Sequence, residues 1–103
     1  MPLFIADSPV LIRDRSSGKT TFSSLDSDED VTLTCQFDGF PTPEIKFTKD
    51  NIELNSSDVT SGAGVASYKF RVRSHGDFGF YSCIATNSRG SETYSMEVYQ
   101  RGK

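Results

Sequence analysis

Three observations predict an all-β fold, a sandwich of two antiparallel sheets. Apolar and polar residues alternate with a period of two in several short runs, the pattern of strands that bury one face and solvate the other. Turn-forming Gly, Pro, Asn and Asp recur between those runs at roughly ten-residue spacing, as in sandwich folds. No run carries the 3.6-residue period of an amphipathic helix.

In chain order, residues 1–15 are expected to form an N-terminal strand or linker segment. Leu3, Phe4 and Ile5 and then Val10, Leu11 and Ile12 are apolar, and the intervening Asp7, Ser8 and Pro9 suit an edge strand kinked at the proline. The folded domain is placed at residues 16–100, with 101–103 as a tail. Residues 13–24, rich in Ser and Thr, read as a long connection. Val31, Leu33, Cys35 and Phe37 alternate with Thr32, Thr34 and Gln36, which defines a half-buried strand and its inner face. Residues 38–43 form a turn around Gly39, Pro41 and Pro43, after which Ile45 and Phe47 point inward. Asp50 and Asn51 turn the chain, residues 52–59 supply a short polar strand, and residues 61–64 form a flexible turn. Tyr68, Phe70 and Val72 alternate with Lys69, Arg71 and Arg73. Tyr81, Cys83 and Ala85 then share one face of a strand, with Phe80, Ser82, Ile84 and Thr86 on the other. A turn at residues 87–90 returns an antiparallel partner carrying Tyr94, Met96 and Val98 inward.

A chain of 103 residues has room for one domain with a real core. A net charge of -3 lacks the basic footprint of nucleic-acid binding. No apolar run approaches the roughly 20 residues that span a bilayer, so no membrane insertion is expected. The first residues lack the basic-then-apolar order of a secretory leader, and a segment of this size is expected to be one module of a longer protein. Cys35 and Cys83, 48 residues apart, fit neither a CxxC redox pair nor a local zinc knuckle. They are a bridge in an oxidising compartment or buried thiols in cytosol.

Residues 77–90 read D-F-G-F-Y-S-C-I-A-T-N-S-R-G. Through Asp77, Gly79, Tyr81, Cys83, Ala85, Asn87 and Gly90 they resemble the signature of immunoglobulin domains of the intermediate (I) set. The run P-x-P-x-I-x-F-x-K-D at residues 41–50 resembles the same family, and the likeness extends over residues 25–99. It implies an immunoglobulin-like sandwich of two antiparallel Greek-key sheets, a bridge between them from Cys35 to Cys83, and a tyrosine corner at Tyr81. It also gives Asp77 and Gly79 structural roles and places Leu25 in a second N-terminal strand. The chain departs from the family at Phe47, where a tryptophan is usual, so a large neighbour, Phe37 or Tyr68, is expected to fill the space. Arg73 stands where the family usually has an aliphatic residue, and no arginine is found at the start of the family's D strand to pair with Asp77.

Catalytic and metal motifs fail on context. Asp77-Phe78-Gly79 spells the magnesium tripeptide of kinases without their glycine-rich or catalytic loops. Gly18-Lys19-Thr20 ends like a phosphate loop, but Arg13 replaces the required glycine. Asp26, Asp28 and Asp30 are spaced like calcium ligands, yet Val31 occupies the glycine position. His75, the one histidine, lies in a turn with no partner. No enzyme, metal or cofactor is therefore expected. Asn55-Ser56-Ser57 is a glycosylation acceptor. Phe80 and Ile84, predicted exposed beside Lys46, Thr48, Ser95 and Glu97, form a candidate interaction face.

The expected function is a non-catalytic structural and protein-binding module of a larger multidomain protein, with proteins or neighbouring domains as partners. The resemblance implies two settings: cytoplasmic muscle and cytoskeletal proteins like titin, myosin light-chain kinase and palladin, or extracellular adhesion molecules and receptor ectodomains. The sequence leans to the first, because nothing in it requires oxidation or a glycan.

Overall fold

The structure, a computed structural model, describes residues 6–25, 30–54 and 59–100. The alternating runs become β3 (Val31–Phe40), β4 (Glu44–Lys49), β7 (Val65–Phe70), β8 (Gly79–Asn87) and β9 (Gly90–Gln100). Shorter strands complete the sheets: β1 (Asp7–Leu11), β2 (Thr20–Ser23), β5 (Ile52–Glu53) and β6 (Val59–Gly62). One sheet has the order β1-β3-β7-β6 and the other β2-β9-β8-β4-β5. Neighbours are antiparallel except β2, which runs parallel to β9. The result is an immunoglobulin-like sandwich.

Between the sheets lie Val31, Leu33, Cys35, Phe37 and Ala66 from one layer and Ile45, Phe47, Tyr81, Cys83, Ala85, Tyr94, Met96 and Val98 from the other. Each strand buries alternate residues, so the inward set follows from the two-residue period.

The strand boundaries differ from the sequence expectation where tertiary pairing extends them. Residues 38–40 are not turn but the end of β3, because β1 pairs with them: Val10 faces Asp38 and Asp7 faces Phe40. Asp7, Ser8 and Pro9 do not interrupt β1; they belong to it, and the register slips between Asp7 and Val10, at the proline. The second N-terminal strand ends before Leu25, which packs beside the core from the following turn. Ser61 and Gly62 pair in β6 with Ala66 and Val65, leaving a two-residue turn at Ala63 and Gly64. Both turn residues have positive φ, 55° and 79°, as do Asp50 and Asn51 at 52° and 67° in the β4–β5 turn. That hand matches the twist of the flanking strands. At Gly64 a Cβ would lie 2.7 Å from the Phe37 carbonyl oxygen, so space as well as φ requires glycine.

Candidate functional site

The core is pinned across its middle. Cys35 on β3 and Cys83 on β8 form a disulfide with Cα atoms 6.5 Å apart, and both are fully buried. Phe47 lies opposite Cys83 on β4. Its ring is smaller than an indole, and the space is closed by Tyr68, 6.0 Å away between centroids. Tyr68 continues into Phe70 at 5.1 Å and Tyr81 at 6.1 Å, so four aromatic rings fill this end of the sandwich. Phe37 is buried elsewhere in the core, paired through its backbone with Gly64.

The Tyr81 hydroxyl donates to the Asp77 carbonyl four residues upstream, at 2.5 Å. Burial, with the Asp77 charge nearby, pushes that phenol well above its ordinary range, so it stays a donor. Among the described residues no arginine pairs with Asp77. Its carboxylate instead accepts the backbone N–H groups of Arg73 at 2.8 Å and Ser74 at 3.1 Å, capping the short 3-10 turn His75–Asp77. This turn explains Arg73: Val72, one residue earlier, is the fully buried aliphatic side chain, and Arg73 is exposed. Gly79 begins β8 at φ 125°, a backbone that disfavours any side chain. Asn87 ties three segments together, donating to the carbonyls of Asp7 at 2.7 Å and Pro41 at 2.9 Å and accepting from the Arg89 N–H at 2.8 Å.

The outer face of the five-stranded sheet carries the candidate contact residues. Phe80 is 59% exposed and stands opposite Glu97. Ile84 is a correction: it is half-buried, because Thr93 on β9 and Lys46 on β4 flank it from both sides. Phe80 escapes such cover because β4 pairs with β8 only from Tyr81 onward. Lys46 is exposed, and the Ser82 and Ser95 hydroxyls, 3.0 Å apart, make the middle of the face polar. Two aromatic residues absent from the sequence reading extend the apolar end: Phe22 on β2 and Tyr99 on β9, 59% and 42% exposed, stack at 5.5 Å. The signal that could find them is the parallel β2–β9 pairing, which sets Phe22 opposite Tyr99. A hydrogen bond to Glu97 raises the Tyr99 phenol above its ordinary range.

His75 is exposed and its ring meets Phe78, 6.3 Å away. Among the described residues no group of His, Cys, Asp and Glu is placed to hold a metal ion, and no helix is long and apolar enough to cross a membrane. Gly18 and Lys19 lead into strand β2, with no helix to complete a phosphate loop. Asn55, Asp26 and Asp28 lie outside the described residues.

Residues 11–87 match the immunoglobulin domain family. The chain is 35% identical to Protein turtle of Drosophila melanogaster over 72% of its length, spanning 5% of that protein. It is 30% identical to Neural cell adhesion molecule 1 of Mus musculus over 72% of its length, spanning 7% of that protein. Among solved structures it superimposes on the titin Ig tandem domains A164-A165 with a TM-score of 0.79 and 26% identity, covering 96% of this chain and 50% of that one.

Proposed function

The chain belongs to the immunoglobulin domain family, and from that premise we propose that it is an I-set module whose five-stranded sheet presents an apolar end to another protein or to a neighbouring domain. The observation that carries this reading is the exposed aromatic group of Phe80, Phe22 and Tyr99 on one outer face. Apolar residues grouped in this way are surface that contact with a partner removes from water. Lys46 and Ile84 lie further along the same face and form its more polar continuation. The inner face supplies rigidity: the Cys35–Cys83 bridge and the aromatic rings around Phe47 hold the strands in one geometry, so the outer residues are presented without reorganisation. No step of chemistry is asked of these residues.

The parent protein is proposed to be of the muscle and cytoskeletal kind, a reading supported by the likeness to the titin tandem. One observation favours the adhesion setting instead: the Cys35–Cys83 disulfide belongs to an oxidising compartment. The likeness to Neural cell adhesion molecule 1 is consistent with it. Intact mass of this segment from tissue, under thiol trapping, separates the two. Two trapped thiols with unmodified Asn55 select the cytoplasmic setting, and a disulfide with a glycan on Asn55 selects the extracellular one. For the face itself, a photo-crosslinking residue at Phe80 in the native parent is expected to capture a protein or a neighbouring domain. One at Lys69, exposed on the other sheet, is expected to capture none. Equal capture at both positions rules out the assignment.

A further inference from the structure

The edge of β9 is covered over only part of its length. β2 pairs with Glu97, Val98, Tyr99 and Gln100, and the Glu97 N–H donates to Lys19 at 2.7 Å. Because backbone groups alternate sides along a strand, Ser91, Thr93 and Ser95 direct their N–H and C=O groups to the same side as Glu97, away from β8. Among the described residues nothing bonds to them. β1 lies alongside β9 but pairs with β3, and the Ser16 and Ser17 hydroxyls fasten the chain that follows to Gln36 and Thr34. What remains beside this edge is an open groove of about 720 Å³, walled by Val10 and Leu11 on one flank and by Lys19 and Thr20 at its end. Residues 90–96 contain neither the proline nor the lysine that commonly protects such an edge from pairing.

We propose that this edge pairs with the same edge of a second copy, antiparallel, about a two-fold axis at Thr93, joining the two five-stranded sheets into one. The register follows from charge and from the space available. Centred on Thr93, backbone pairing runs from Ser91 to Ser95 and ends there, because β2 already holds Glu97; the Arg89 side chain, just past the end of the pairing, then lies beside Glu97 of the second copy. The two-fold makes that ion pair twice. Arg89 is exposed in the β8–β9 turn, and no ion pair reaches it among the described residues. A centre at Glu92 sets two carboxylates opposite each other, which is unfavourable. A centre at Tyr94 requires Ser91 of the second copy to bond the Glu97 backbone, which β2 and Lys19 already hold. Val10, 60% exposed on the same flank, joins the contact and adds apolar area. The groove shares Phe80 and Glu97 with the aromatic face proposed above, but Thr93→Pro changes the edge alone and a change at Phe22 the face alone, so one can fail without the other.

The test is sedimentation of the chain over a concentration series. The expected result is a monomer–dimer equilibrium that Thr93→Pro abolishes. That N–H makes no bond within the fold, so the thermal midpoint is expected to hold. Arg89→Glu and Glu97→Arg are each expected to weaken the dimer about tenfold, from two rim ion pairs of about 0.7 kcal/mol apiece. The double variant is expected to restore it, because the pair is reversed rather than removed. A wild-type chain that stays monomeric up to about 1 mM, the weak end of measurable affinity, overturns the proposal and leaves the edge to a strand of a different protein. A dimer indifferent to all three changes overturns it equally.

Discussion

Along β8 and β9, Tyr81, Cys83, Ala85, Tyr94, Met96 and Val98 are buried in strict alternation. From β1 to β2 no such alternation exists, and polar groups hold the chain instead. Ser16 donates to the Ile12 carbonyl at 2.8 Å and accepts from the Gln36 N–H at 3.0 Å, while Ser17 accepts from the Thr34 N–H at 2.8 Å. The Ser17 carbonyl in turn accepts from the Tyr94 hydroxyl at 2.7 Å, which stitches this segment to β9. The hairpin is therefore fixed by burial of area, which is non-directional and large in sum. The N-terminal edge is fixed by directional bonds whose net contributions are small but whose loss leaves a partner unsatisfied. The difference teaches why the β9 edge is covered only in part: the serines hold residues 16 and 17 to β3, and backbone pairing with β9 begins only at Lys19 and Thr20.

The comparison can be broken first on its apolar side. Phe47→Ala removes the ring that meets Tyr68 on the strand position opposite Cys83, and a loss of about 3–5 kcal/mol in chemical denaturation is expected for a fully buried Phe. A loss below about 1 kcal/mol, the size of an ordinary surface effect, would mean the aromatic cluster recloses and that burial is not what fixes this layer.

On the polar side, Ser16→Ala strands the partly buried Gln36 N–H and is expected to cost about 1–3 kcal/mol. Hydrogen exchange sharpens the reading, because Ile12 and Gln36 amides are expected to exchange faster while those of β8 are unchanged. Uniform acceleration throughout the molecule would contradict the idea of a locally fastened edge. Tyr94→Phe keeps the ring and removes only the bond to Ser17, with an expected loss of about 1 kcal/mol. No change in stability or in exchange at Ser17 would show that the stitch to β9 is dispensable.

The smallest effect lies at the surface, at Asp30. A hydrogen bond from Arg71 at 3.1 Å, with Lys69 adding its charge, holds its carboxyl below the usual aspartate range. A depressed folded-state pKa means a contribution that is present above the unfolded value and is lost as pH falls through the folded one. The difference in urea midpoint between wild type and Asp30→Asn is therefore expected to be largest near neutral pH and to vanish in acid. Growth of that difference on acidification would reverse the sign and sink the assignment.

Much of this molecule was legible because a period of two names its own inner face. Val31, Leu33, Cys35 and Phe37, and likewise Tyr81, Cys83 and Ala85, carry their burial in the pattern itself. Other features were not legible, each for a definite reason. Residues 38–40 look like turn because Asp38 and Gly39 are poor strand formers, yet pairing to β1 holds them extended. Ile84 alternates with the buried set and so reads as exposed, but only the neighbouring strands decide how much of an outward side chain is covered. Phe22 and Tyr99 lie 77 residues apart and meet through a parallel pairing that no local pattern encodes.

The amino-acid order by itself determined which residues form the main strands, which faces they bury, and which two cysteines are present to bridge them, because these depend on local periodicity and on composition. The tertiary structure alone decided where β1 and β2 pair, which ring fills the space beside Phe47, and which length of β9 is left uncovered. Those outcomes depend on contacts between residues far apart in sequence, where register and the geometry of hydroxyl and backbone groups, rather than hydrophobic pattern, select the arrangement.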